Sequence, residues 1–331
     1  MGKDRVAGID VGASELAVAI EGGSGSPRHC CFANDASGHK KLVRALTKNG
    51  ASARVCLEAT GVYSLEVSLA LDRAARIEVM VANPRAVSSF AKAYLKRSKT
   101  DALDAEVLVE FARRMPFTPW RAPAAPVLEI RAISRRIAAL TKVRTQERAR
   151  LHAATRAGQS SQLVCEDIQA HIEHLEHRIT ELGRQAVERI RTYAPMRERF
   201  ELLISIKGIA ETSAVRLVAE LAVLPEDMTV RQWVAHAGLD PRTFQSGTSV
   251  HKRARISKAG NRYLRAALYM PALVAIQYEP RVRAFYDELV ARGKTKLQAI
   301  VAVMRKLLHA IYGMSKSGER FDPERFYRAA A

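Results

Sequence analysis

Four acidic residues stand where chemistry on a phosphodiester would need them. Asp10 closes the apolar run Val6–Asp10 and precedes Val11-Gly12, and Glu58 stands in the apolar run Arg54–Ala59, just before Thr60-Gly61. Each sits where a strand gives way to a glycine-containing turn, so both can face one crevice. Asp101 and Asp104 follow in Lys99-Thr100-Asp101-Ala102-Leu103-Asp104-Ala105. A spacing of three puts them on one helical face, with Thr100 or Asp101 as the cap. Two-metal phosphodiester cleavage needs several carboxylates converging on ions about 3.5–4 Å apart, and Mg²⁺ takes oxygen ligands while keeping several waters. Singly, a strand-end Asp is more often a turn or cap residue, and an acidic pair in a first helical turn complements the helix dipole. The ordered set of four is more specific than any member.

A second group lies in the C-terminal third. Ile206-Lys207-Gly208-Ile209-Ala210 sits between two helical runs and is similar to a helix-hairpin-helix, whose turn aims backbone N–H groups at a phosphate. Ala210 stands where the second glycine is usual, and a plain helix–helix turn fits as well. Phe244-Gln245-Ser246-Gly247-Thr248-Ser249 follows, then a cationic strip. From Pro241 to Met270 there are seven Lys or Arg and no acid. Lys207, Lys252, Arg253, Arg255, Lys258, Arg262 and Arg265 are the candidate nucleic-acid contacts. A serine beside such cations can attack a phosphate once a base or metal activates it. Read locally, Ser246 is a turn serine.

The elements that must position these groups read as follows. Val6–Asp10, Glu15–Ile20 and Arg28–Ala33 are strands, and Gly38–Lys48 is a helix. Arg54–Ala59 is a strand, Leu65–Ala75 a helix, Ile77–Ala82 a strand, and a further helix starts at Pro84. The order βββαβαβα predicts a mixed sheet with helices on its faces. Pro116, Pro119, Pro123 and Pro126 mark a break. A long helix follows, in which Arg131–Arg150 carries seven basic residues and one acid, Glu147. Its apolar stripe, Ile133, Ile137 and Leu140, predicts that the arginines cover the other faces. Ile168, Ile172, Leu175, Ile179 and Leu182 make a short heptad-like seam, that of a coiled coil, a helical hairpin or an ordinary packed helix. Beyond Pro195 the chain reads as mainly helical.

Composition sets the outer bounds. The chain has 331 residues, 48% hydrophobic, with a net charge of +19 and a pI near 10.1. That balance implies a polyanionic partner, with an anionic membrane surface as the other candidate. No run of 18 apolar residues exists, so no membrane span is expected. The start is no secretory signal, and Val6 breaks the myristoylation pattern. Cys30, Cys31, Cys56 and Cys165 form no C-x-x-C pair and read as reduced cytoplasmic thiols rather than a zinc site. The Gly-Ile-Asp-Val-Gly start also occurs in actin-like kinases and ATPases, but the further glycine-rich phosphate loops they need are absent, and Glu288 occupies the first-glycine place ahead of Gly293-Lys294-Thr295.

Taken together, the segments resemble the transposases of the insertion-sequence one-ten family, also called bridge-RNA-guided recombinases. The matching pieces are Gly8-Ile9-Asp10, Glu58-Ala59-Thr60-Gly61-Val62-Tyr63, Lys99–Ala105, Ile206–Ile209, Ser246–Ser249, Ser257-Lys258-Ala259-Gly260 and Leu264–Met270. Asp on the first strand, Glu on the fourth and two Asp on a following helix also resembles the ribonuclease-H-like RuvC resolvases. The resemblance implies an N-terminal RuvC-like domain at 1–157 with a mixed sheet and helices. A coiled-coil segment at 158–194 and a mainly helical transposase domain at 195–331 would follow. It implies an Asp-Glu-Asp-Asp set at Asp10, Glu58, Asp101 and Asp104 holding Mg²⁺ or Mn²⁺, and a nucleophilic Ser246 that forms a phosphoserine link to DNA. Donor and target DNA, a structured guide RNA, and self-association as a dimer or tetramer are the implied partners. The implied location is the cytoplasm, at the nucleoid when active. Three readings remain open from the residues themselves: a metal-dependent strand-transfer enzyme, a RuvC-like endonuclease using water, and a basic nucleic-acid-binding protein whose acids are only caps.

Overall fold

Strand alternation organises the N-terminal part. The computed structural model describes residues 5–21, 26–59, 61, 63–94, 100–156, 161–246 and 250–327, with the backbone alone at 244–246 and 250–254. The first unit contains β1 (Arg5–Val11), β2 (Glu15–Glu21), β3 (Arg28–Ala33), α1 (Ala36–Leu46), β4 (Ala53–Glu58), α2 (Tyr63–Asp72), β5 (Ile77–Ala82), α3 (Pro84–Ala93) and α4 (Asp101–Arg114). The sheet order is β3-β2-β1-β4-β5. The β1–β2 and β2–β3 pairs are antiparallel, and β1–β4 and β4–β5 are parallel. The expected mixed sheet is therefore present. Ala7, Ile9 and Val11 point to one face with Leu42, Leu46, Val67 and Leu71 from α1 and α2. Cys56, Met80 and Ala82 point to the other, against Val87 of α3 and Val107, Leu108 and Phe111 of α4. Both faces are covered, so the central strands carry almost unbroken apolar runs.

Local chemistry sets the helix ends. Asp35 caps α1 through Gly38 N, Asn83 caps α3 with Pro84 at its first position, and Thr100 caps α4 through Leu103 N. Asp101 is thus inside the helix rather than its cap. All four cysteines are free thiols, and burial pushes the Cys56 thiol up to about 12.

The chain divides into compact units at Ala122/Pro123, within the proline-rich stretch. The second unit holds α5 (Ala125–Arg156), α6 (Gln162–Thr192), α7 (Ala194–Ile204), α8 (Glu211–Leu221), α9 (Val230–Ala237), β6 (Pro241–Ser246), β7 (Val250–Ile256), α10 (Arg262–Tyr278), α11 (Pro280–Ala291), α12 (Lys296–Ser317) and α13 (Pro323–Phe326). Helix α5, which the sequence grouping to 157 put with the N-terminal domain, packs on α6 and α8. Its Val127 and Ile130 enter the second unit's core. Glu129 meets Arg189 near one end of α5 and Glu147 meets His171 near the other, so α5 and α6 run antiparallel. Ile172 and Leu175 of the expected seam are buried. No helix among the described residues is long and apolar enough to cross a membrane.

Two features of this unit add to the sequence reading. Arg131 and Arg135 lie off the apolar stripe, half-exposed, and both pair with Glu220 of α8. The segment around Ser246 is a β-hairpin inside a mainly helical region. Neither the short polar run of β6 nor the cationic run of β7 shows the apolar alternation that would reveal a strand.

Candidate active site

Register brings Asp10 and Glu58 side by side. On parallel strands β1 and β4, Ile9 pairs with Leu57. Asp10 and Glu58 therefore follow on the next rung and alternate onto the same face, the one covered by α4. Both are half-buried.

Three contacts fix the direction of α4. Ala105 sits directly on Gly8, where a Cβ would stand 2.0 Å from the Ala105 carbonyl oxygen. His29, on the Gly8–Ala19 rung, lies 3.0 Å from Glu106. Arg113 bridges to Glu21 at 2.8 Å, and Glu21 pairs with Val6 at the start of β1. The helix therefore runs antiparallel to β1, with its first turn at the Asp10 end. One turn back from Ala105 is about 6 Å of helix, close to the roughly 6.6 Å of two strand residues from Gly8 to Asp10. Asp101 consequently starts α4 over the Asp10 rung. The Cys31 thiol, on that rung through Ala17, is pushed up first by its hydrogen bond to Glu15 and least by the charge of Asp101. Asp104 lies in the same first turn, half-buried.

The fold thus brings four carboxylate-bearing positions to one end of one sheet face. Their side chains are not drawn into a closed cluster: among the described residues, no three His, Cys, Asp or Glu come together as a metal site. Lys99, Thr60 and Val62 of the motifs lie outside the described residues.

In the second unit, Ser246 is the last residue of β6 and pairs with Val250. Gly247, Thr248 and Ser249 lie outside the described residues, as do the side chains of Ser246, Lys252 and Arg253. Arg255, Lys258 and Arg262 are exposed. Arg265 instead donates to the Ala237 carbonyl at 2.7 Å, at the C-terminal end of α9. Lys207 is exposed and 4.0 Å from Glu279. Gly208, at φ 106°, packs on α10, where a Cβ would meet the Pro271 carbonyl at 2.8 Å. The segment Ile206–Ala210 is thus a helix–turn–helix joint seated on α10.

Sequence reasoning missed a buried polar network. Glu220 is 1% exposed. Arg135 donates to both its oxygens, at 2.9 and 3.2 Å, and Arg131 donates at 3.3 Å. Asn261 Nδ2 donates to it at 2.7 Å. Burial pushes the Glu220 carboxyl up, but these hydrogen bonds and the charges of Arg131 and Arg135 outweigh it and hold it below the ordinary glutamate value. Burial first, then Arg131, holds the nearby His236 imidazole below its ordinary value. The available signal was an acid within the largely apolar run Leu217-Val218-Ala219-Glu220-Leu221.

Comparison with known proteins meets both regions. A family model described as Transposase matches residues 7–156. That of the Transposase IS116/IS110/IS902 family matches residues 200–287. The chain belongs to the IS110 family of transposases. A pilin gene-inverting protein of Moraxella bovis is 28% identical over 300 residues, 89% of this chain and 91% of that protein. A 43.6 kDa protein of insertion element IS110 from Streptomyces coelicolor is 30% identical over 121 residues, 37% of this chain and 30% of that protein. IS110-family membership makes this a DNA-cutting enzyme of the transposase and recombinase kind. The first matched region holds all four carboxylates. The second holds the Gly208 turn, Glu220, the Ser246 hairpin and Asn261.

Proposed function

We propose that this IS110-family transposase exchanges DNA strands through a covalent phosphoserine intermediate on Ser246, assisted by divalent metal at Asp10, Glu58, Asp101 and Asp104. The observation that carries the reading is the shared rung: Asp10 and Glu58 neighbour each other on β1 and β4, and α4 begins above them because Gly8 admits Ala105. We read residues 5–122 as the RuvC-like part and the α5–α6 pair as the coiled-coil segment.

The donor set is all carboxylate oxygen, which suits Mg²⁺ or Mn²⁺ rather than a soft-ligand metal. When bound, the metal would polarise the scissile phosphate and lower the pKa of an attacking hydroxyl. Ser246 Oγ attacks phosphorus, so a P–O bond to serine forms as one P–O bond of the DNA breaks and the departing oxygen takes up a proton. A second DNA end then attacks the phosphoserine, releasing serine and restoring a phosphodiester. Bond energy is conserved through both steps. Arg255, Lys258 and Arg262 neutralise backbone phosphates. A structured guide RNA selects donor and target DNA, and the protein works as a dimer or tetramer on them; both statements rest on the family resemblance.

The deciding experiment is to denature a reaction on labelled DNA, digest it with protease and map the modified residue by mass spectrometry. The expected adduct is on Ser246, and Ser246→Ala should lose adduct and strand exchange together while still binding DNA. Thr248 and Ser249 are the internal controls. Normal cleavage by Ser246→Ala would favour a hydrolytic nuclease using water.

A further inference from the structure

We infer that Glu220 and Asn261 are positioning residues for strand exchange, holding the root of the β6–β7 hairpin so that its far end, at Ser246, meets the DNA in one orientation. The inference rests on the reading of Ser246 as nucleophile. A two-stranded hairpin has little stability of its own, so its direction is decided where it joins the unit. That junction is closed by a chain of short contacts. Ser257 N donates to the Asp240 carbonyl at 2.9 Å, and Ser257 Oγ to Asp240 Oδ1 at 2.5 Å. Lys258 N donates to Gly238 O at 3.1 Å, and Asn261 N to His236 O at 2.6 Å. Gly260, at φ 127°, lies so close to α9 that a Cβ would stand 2.2 Å from His236 O.

Asn261 is the hub of this junction. Its Oδ1 accepts from Tyr263 N and Leu264 N and starts α10. Its Nδ2 has a buried acceptor in Glu220. With both ends of the amide engaged, only one side-chain orientation satisfies the site. Glu220 in turn ties that amide to α5 through Arg135 and Arg131. The chain leaving β7 is thereby referenced to three helices, α5, α8 and α10.

Stability alone does not account for this carboxylate. Apolar replacements of buried ion pairs are often neutral or stabilising, whereas removing one partner is costly. What the network supplies is direction. Ser246 lies five residues out from Pro241, about 16 Å of strand, so a root tilt of about 4° moves it by about 1 Å. Misplacement by that amount can cost about a hundredfold in rate.

The test compares Glu220→Gln, Asn261→Asp and the reciprocal double variant with the full-length parent and with Ser246→Ala. Readouts are the cleavage rate at saturating DNA, the half-saturating DNA concentration, and amide hydrogen exchange over 241–256. Each single variant should lose about ten- to a hundredfold in rate, with half-saturation changed by less than about twofold. Hairpin amides should exchange faster while those of α5 and α6 do not. The double variant rebuilds the contact between positions 220 and 261, but the oxygen it replaces also accepts from Arg131 and Arg135, so the amide introduced at position 220 faces their donors and little of the lost rate should return. Arg135→Lys keeps the charge, loses the two-pronged grip, and carries the same test should another variant fail to fold. Normal rates in the single variants beside an inactive Ser246→Ala would overturn the positioning role and leave the nucleophile standing. Normal cleavage by Ser246→Ala would instead overturn the nucleophile reading and this inference with it.

Discussion

Gly8 on β1 and Ala105 on α4 touch through their backbones, at a distance that leaves no room for a methyl group. Gly8→Ala must therefore lift α4 from the sheet. The expected cost is about 3 kcal/mol of stability, measured by denaturant unfolding. Cleavage should fall further than stability explains, because Asp101 and Asp104 move away from Asp10 and Glu58. Full activity in a stably folded Gly8→Ala variant would count against the shared site.

The carboxylates themselves predict a metal response separable from activity. Addition of Mg²⁺ or Mn²⁺ should raise the melting temperature of the parent, by linkage worth about 2.7 kcal/mol at a hundred times the Kd. Asp10→Asn or Glu58→Gln should abolish that rise. These variants and Asp101→Asn should also lose more than about a hundredfold in cleavage, since even outer-shell partners of metal ligands cost ten- to a hundredfold. An equal metal-induced rise in parent and Asp10→Asn would remove Asp10 from the ligand set.

Ile172 and Leu175, at 4% exposure each, are covered within the chain, which α5 joins as the packed partner of α6. Ile172→Asn or Leu175→Gln should therefore destabilise the helix pair by about 3 kcal/mol. The drop in melting temperature should not depend on protein concentration. A concentration-dependent drop would place the seam between chains instead.

Acid stability should fall in two stages. His236 has a folded pKa below its ordinary 6.5, so the unfolded chain binds the proton more readily and stability declines as pH drops below 6.5. Glu220 also titrates below its ordinary 4.5, so its contribution is complete above 4.5 and is lost as pH falls through the folded value. His236→Gln should flatten the first stage and Glu220→Gln the second, in denaturant unfolding across pH. An unchanged profile in both variants would refute the assignment.

Salt dependence should separate the cations. Loss of exposed Arg255 or Lys258 should reduce the log–log slope of DNA affinity by about 0.9 for each phosphate contact removed. Arg265→Gln should leave the slope nearly unchanged and lower stability, because its guanidinium serves the Ala237 carbonyl. A slope change for Arg265→Gln equal to that for Arg255→Gln would contradict this division.

The amino-acid sequence by itself determined the order βββαβαβα and the places of Asp10, Glu58, Asp101 and Asp104 at strand ends and a helix start. Those features rest on short-range periodicity, glycine turns and caps, which neighbours along the chain decide. It also marked the proline-rich stretch in which the two units divide. Only the tertiary structure decided that α4 runs back over β1 from the Gly8 contact and sets Asp101 above the Asp10 rung. It alone paired Arg131 and Arg135 with Glu220 and set Arg265 on the Ala237 carbonyl at the end of α9. It also paired β6 with β7, a short polar run and a cationic run that lack the alternation a half-buried sheet displays. Glu220 and Asn261 are 41 residues apart and meet at 2.7 Å. No local pattern encodes such a pairing, because the free energy of a buried carboxylate depends on which donors the folded chain brings to it.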